Sequence, residues 1–321
     1  MKYSLRKLNT TVFARIRLLY QKAIKPAIGS PAAWCFAVVW AAAAIYLLAV
    51  GHVLWVVKCI GLLVSILVFC VLTVALTQPG SKPEGESSRT RRGVLVLQVA
   101  AILFFIVITG YQSLMFHRVI KHTSIPLWTP TIRAFGKLGE RLFDSDIVGH
   151  SYLALANPAR YFLLPLPFLL LLGARFRKLG FERGHRTWRV VVLWCFIPVV
   201  LLLLQLALGR LTLGRIGRRL AMHSLQNGFF EEFLFRGALQ TRLRFFVSPS
   251  WAVVLQALVF GVWHLGIGFV ETGSQAIITG IASAIIIRAT AGLAFGIVFH
   301  RTRNLLACSV IHVVTNSVSM G

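Results

Sequence analysis

The sequence predicts an all-α protein that crosses a membrane several times. Hydrophobic residues make up 57% of the chain and charged residues only 13%, and the mean hydropathy is +0.77. Soluble globular domains do not have this composition. Several apolar runs reach roughly the 18 to 20 residues that a helix needs to cross a bilayer. Because the runs are continuous rather than alternating, they favour helices over the strands of a barrel.

The first 30 residues are predicted to form a basic arm on the cytoplasmic side. They contain seven lysines and arginines and no acidic residue, and no apolar stretch is long enough for the core of a signal peptide. Either the arm lies on an anionic membrane surface or it is a solvated flank of the first span.

The remaining chain is predicted to contain about eight transmembrane helices. The apolar runs cover about residues 32–57, 60–76, 94–116, 161–174, 190–208, 220–246, 251–269, 277–300 and 305–320. Pro165 and Pro167 predict a kink in the fourth run, and the polar stretch at 77–93 predicts a solvated loop. We divide the chain into the arm at 1–30, N-terminal membrane helices at 31–215 and a C-terminal helix bundle at 216–321.

The net charge of +25 would suggest nucleic acid as the partner of a soluble protein. Here the arginines and lysines cluster in short connections between apolar runs, as the positive-inside rule expects. No zinc-finger, helix-turn-helix or RNA-binding signature accompanies them. The predicted partner is therefore the lipid bilayer and not nucleic acid. The five cysteines are scattered without metal-binding spacing and are interpreted as buried hydrophobic residues.

The stretch NGFFEEFLFRGALQ places two adjacent glutamates in an apolar segment, although the chain has only 9 acidic residues. A charged residue at membrane depth costs about 2.5 to 3.5 kcal/mol on insertion scales, so its presence indicates a function. Glu232 and Arg236 are four residues apart and share a helix face, whereas Glu231 is rotated by about 100°. We expect Arg236 to neutralise Glu232 and Glu231 to serve as a general base. The alternative is an ion-pair network with a structural role alone.

Two further motifs follow in the apolar runs. In FGVWH, Phe260 and His264 share a helix face, and in HVVTN, His312 and Asn316 do the same. A single histidine on an apolar helix is more often a packing residue. Two histidines, an asparagine and a spare glutamate, however, are the groups needed to hydrolyse an amide: a base and water-binding groups, with donors for the developing oxyanion.

Together, EEFLFR, FGVWH and HVVTN resemble the EExxxR, FxxxH and HxxxN/D motifs of the CAAX protease and bacteriocin-processing family, also called the Abi family. These proteins are intramembrane glutamic endopeptidases and include the type II CAAX prenyl endopeptidase. The resemblance covers about residues 220–321, and it implies that the bundle at 216–321 is the catalytic core and that the helices at 31–215 are the part that varies within the family. It implies that Glu231 activates water and that Glu232 and Arg236 are chiefly structural, with Phe260 supporting the site. It also implies three residues that bind water and the oxyanion: His264, His312 and Asn316.

The resemblance implies a peptidase that acts without a cofactor on a membrane-associated peptide, for which a lipidated peptide and a C-terminal tail are candidates. We expect a multi-pass protein of the bacterial inner membrane with a cytoplasmic N-terminus; the sequence carries no signal for an oligomeric state.

Three alternatives remain open. A zinc protease would use a glutamate and two histidines, although the HExxH signature is absent. A transporter would use buried Glu and His, and a scaffold or immunity protein would keep the fold without cutting.

Overall fold

The computed structural model describes Arg17 and residues 20–77, 92–274 and 276–318. Within these ranges six helices are long and apolar enough to cross a membrane, or seven if a bent helix pair counts as one span, compared with about eight predicted. The predicted all-α, multi-pass membrane class is confirmed.

Some predicted regions lie outside the described residues. They are most of the basic arm, nearly all of the loop at 77–93 and the last three residues of the chain.

The described part of the chain forms eleven helices and four short helical turns. The first six are α1 (Pro31–Ala49), α2 (Val53–Leu76), α3 (Arg92–Phe116), α4 (Trp128–Leu142), α5 (Ser151–Leu171) and α6 (Thr187–Ala207). The other five are α7 (residues 213–243), α8 (Pro249–Trp263), α9 (Leu265–Thr272), α10 (Ile277–Thr302) and α11 (Leu305–Val318). The short turns are Tyr20–Ile24, Lys25–Ile28, Ser145–Val148 and Phe176–Leu179.

Local sequence signals explain where several helices begin. The Ser30 side chain accepts a hydrogen bond from the backbone of α1, which starts with Pro31. Thr212 caps α7 in the same way, and Pro249 occupies the first turn of α8. Serine and threonine caps satisfy free amide groups at a helix start, and proline there lacks the amide that would need a partner.

The helix α7 runs from the surface of the bundle into its centre. Its first segment, Leu213–His223, has no buried residue. The segment continues through π-helical Ser224–Gly228 and α-helical Phe229–Glu232. All eight residues of the next π-helical segment, Phe233–Gln240, are buried. Because a helix that is buried all round must be enclosed by others, this segment is the central element of the bundle, and both glutamates lie just before it.

Two differences from the predicted spans matter for the site. The fourth span begins at Ser151 rather than at about 161, so Arg160 is inside a membrane helix and not in a polar connection. The run at 251–269 is not one straight helix, because α8 and α9 are bent by 57° and His264 lies between them. At Gly268 the backbone of α9 lies so close to the carbonyl oxygen of Gly280 that an added Cβ would overlap it, and glycine therefore permits the close approach of α9 to α10.

Candidate active site

Glu232 is held at the centre of a buried polar cluster. Arg236 donates from Nη1 to Glu232 Oε1 over 3.1 Å, and His312 donates from Nδ1 to the same oxygen over 2.9 Å. Arg236 also donates from Nη2 to the carbonyl oxygen of Gly292 over 3.2 Å. These bonds tie α7 to both α10 and α11. The predicted pairing of Glu232 with Arg236 is present, and His312 is an additional partner.

Arg236 is fully enclosed, with an exposed fraction of 0%. Its guanidinium carbon lies 4.4 Å from the centre of the Phe260 ring and 5.2 Å from that of Phe295. Such contacts are attractive because the ring face carries negative charge density, and they gain strength where water is excluded. Phe260 therefore supports the buried cation from α8.

Glu231 faces away from this cluster and towards His264. Its Oε2 atom lies 3.8 Å from His264 Nε2, while His264 donates from Nδ1 to the carbonyl oxygen of Phe260 over 2.9 Å. Because a carbonyl oxygen only accepts hydrogen bonds, the proton of the neutral ring is on Nδ1, and Nε2 has a free lone pair. The separation of 3.8 Å is too long for a direct hydrogen bond, but one water molecule can bridge it.

The four predicted catalytic residues line one cavity of about 340 Å³: Glu231, His264, His312 and Asn316. Within the cavity wall, the His312 ring stacks on Phe295 with centroids 4.9 Å apart, and Asn316 follows one turn later on α11. The two glutamates thus differ in surroundings: Glu231 borders the cavity, whereas Glu232 is fully buried behind its wall. This placement is what the helical spacing predicted.

The wall also contains polar residues that the sequence analysis did not single out. They are Gln112, Ser113, His117, Asn157, Arg160, Gln226, Asn227 and Arg288. Several belong to α3 and α5, so the N-terminal part of the chain shapes the cavity. The available signal was a cation inside an apolar region, which is rare in membrane helices and marks functional sites; Arg160 and Arg288 both meet that description.

The described helices thus enclose a polar cavity in which a carboxylate faces an imidazole. Residues 216–318 match a family model described as type II CAAX prenyl endopeptidase Rce1-like. This C-terminal part of the chain belongs to the CAAX protease family, a family of peptide hydrolases, and the family predicted from the three motifs is confirmed. Searches of curated proteins and of solved structures returned no match.

Proposed function

We propose that the protein is a glutamic intramembrane endopeptidase in which Glu231 activates water to cleave a peptide bond of a membrane-associated substrate. The observation that carries the proposal is the pair formed by Glu231 and His264, whose facing atoms are 3.8 Å apart in the cavity. Among the described residues, Glu231 is the single carboxylate that lines this cavity. A general base must reach its proton directly or through one water, and this geometry meets that requirement.

The reaction then proceeds in two steps. Water bound between Glu231 Oε2 and His264 Nε2 loses a proton to Glu231 as its oxygen attacks the peptide carbonyl. The carbonyl oxygen becomes an oxyanion, which the Asn316 amide stabilises by donating a hydrogen bond. When the tetrahedral intermediate collapses, the carbon–nitrogen bond breaks, and the proton held by Glu231 passes to the leaving amine.

His312 has a role that combines with that of Glu232. The carboxylate of Glu232 accepts a hydrogen bond from Nδ1–H and so fixes the ring with its opposite edge towards the cavity. In a ring that carries protons on both nitrogens, the Nε2–H group of this edge is a second donor to the oxyanion. The second glutamate therefore orients a catalytic imidazole in addition to its structural bond with Arg236.

We place the enzyme in the bacterial inner membrane with its N-terminus in the cytoplasm. A bridge between Phe181 and Asn304 brings two arginine-rich connections together at one end of the bundle. Arg186 of this end donates to the carbonyl oxygen of Leu76, at the end of α2. Because α1 and α2 form a hairpin, the start of α1 lies at the same basic end, and the positive-inside rule makes this end cytoplasmic.

Terminal proteomics of membranes tests the function and identifies the substrate. Membranes from cells with the wild-type protein are compared with membranes from cells with Glu231→Gln at equal protein levels. We expect new peptide termini in the wild type alone, from lipidated proteins or C-terminal tails. Identical termini in both samples would contradict the proposal.

Proteolysis is expected to need no metal ion. Within the described residues, no group of three or more His, Cys, Asp or Glu side chains is placed to hold a metal. Cleavage by purified protein should therefore persist after treatment with a zinc chelator, compared with the same chelator saturated with zinc beforehand. If stoichiometric zinc is found and lost in parallel with activity, the zinc protease becomes the correct interpretation.

A further inference from the structure

Arg160 is a cation in the interior of a membrane helix. It lies near the middle of α5, and its side chain lines the same cavity as Glu231. Insertion scales set the cost of an arginine at the centre of a span at about 2.5 to 3.5 kcal/mol, and such residues are usually paired. An arginine at this depth is therefore expected to have a partner of opposite charge.

The structure holds Arg160 in place without neutralising its charge. Arg160 donates from Nη1 to Asn157 Oδ1 over 2.8 Å, and Asn157 donates from Nδ2 to the carbonyl oxygen of Gln226 over 3.0 Å. All these partners are uncharged, and the ion pairs of the described residues do not include Arg160. Its Nε atom is buried without a hydrogen-bond partner.

The second arginine of the cavity wall shows the contrast. Arg288 donates from Nη2 to Glu271, and Ser283 donates to the other oxygen of this carboxylate over 3.3 Å. The charge of Arg288 is thus compensated between α9 and α10, and the carboxylate of Glu231 is assigned to water. Arg160 remains the uncompensated cation of the cavity wall in the described part of the chain.

We infer that Arg160 binds a carboxylate of the peptide substrate and is a specificity-determining residue; this inference rests on the proposed peptidase function. A guanidinium presents parallel N–H groups that fit the two oxygens of a carboxylate, and such charge-assisted bonds are stronger than neutral ones. The carboxylate can be the C-terminus of the substrate or an Asp or Glu side chain near the cleaved bond. The chain of bonds through Asn157 to α7 keeps this anchor at a set position relative to Glu231.

Peptide binding to the full-length Glu231→Gln protein in detergent tests the inference without turnover. The probes are three fluorescent hexapeptides of Leu and Ala: one with a free C-terminal carboxylate, one with a C-terminal amide, and one amide with Glu at the penultimate position. Fluorescence anisotropy gives the dissociation constants. We expect at least one carboxylate peptide to bind about 10- to 100-fold more tightly than the neutral amide. The tighter probe identifies the source of the carboxylate.

Adding Arg160→Gln to the Glu231→Gln protein should remove its preference for carboxylate peptides. The control substitution Arg189→Gln, which removes an exposed arginine, should leave that preference unchanged. Equal binding of all three probes, no binding of either carboxylate peptide, or a preference that survives Arg160→Gln overturns the inference. If Arg160→Gln does not fold, Arg160→Lys is tested in its place, because lysine keeps the charge but not the bidentate geometry of the guanidinium. A reduced carboxylate preference then supports the inference, and an unchanged preference overturns it.

The binding result and the proposed function can fail separately. Loss of cleavage in Glu231→Gln concerns the base alone, and the binding assay uses a protein that already lacks that base. If the wild-type protein cleaves no substrate but the binding assay shows a carboxylate preference, the Arg160 site stands and the peptidase proposal is wrong.

Discussion

Replacing Glu231 by Gln is expected to slow peptide hydrolysis by about 10²- to 10⁴-fold, the contribution typical of a general base. The substitution keeps the size of the side chain but removes the group that accepts a proton from water. Because Glu231 borders the cavity and its neighbour Glu232 makes the structural bonds, the variant should fold and insert as the wild type does. The measurement is the cleavage rate of the substrate identified by terminal proteomics, with purified protein.

The matched control for this experiment is Glu140→Gln, which removes an exposed carboxylate on α4 and should leave the rate unchanged. Wild-type cleavage by the Glu231→Gln protein would remove Glu231 from its proposed role. A folded Glu232→Gln protein without activity, together with an active Glu231→Gln protein, would show that the two glutamates have the reverse assignment.

Replacing Arg236 by Gln is expected to lower the free energy of unfolding by about 3 to 5 kcal/mol, as the removal of one partner from a buried ion pair does. Glu232 would remain buried with His312 as its single polar partner, and the contacts of the guanidinium with Gly292 and the Phe260 ring would be lost. The free energy is measured by denaturant unfolding in detergent micelles, with Arg189→Gln as the exposed control, for which we expect a change within about 0.5 kcal/mol.

A double-mutant cycle gives the sharper form of this prediction. In the Glu232→Gln/Arg236→Gln protein neither charge is left alone, so its loss of stability should be smaller than the sum of the two single losses. Additive losses would show that the two side chains do not interact, in contradiction to the 3.1 Å contact between Arg236 Nη1 and Glu232 Oε1.

The parts of the site that could be predicted from sequence are those that depend on spacing within one helix. The different directions of Glu231 and Glu232 follow from a rotation of about 100° per residue, and the bond of Glu232 with Arg236 follows from a separation of four. The bond of Glu232 with His312 joins residues 80 positions apart. It depends on how α7 and α11 pack, and no local pattern predicts that.

The predicted spans failed where an apolar pattern and the actual helix have different limits. Because Arg160 interrupts the hydrophobic run, the sequence predicts a span that starts after it, although a helix interior that borders a polar cavity accommodates a cation. The bend at His264 leaves no trace in the apolar pattern, because the run continues across it and contains no proline. Close packing of Gly268 against α10 is a property of two helices rather than of one sequence window.

One oxygen atom of Glu232 serves both Arg236 and His312, and this sharing has an evolutionary consequence. A descendant that loses Glu231 gives up the proposed base but retains every bond that holds α7 to α10 and α11. A descendant that loses Glu232 gives up both the orientation of His312 and the carboxylate that pairs with the buried guanidinium of Arg236. Relatives that have ceased to cut peptides are therefore expected to retain the second acid of the EE pair more often than the first.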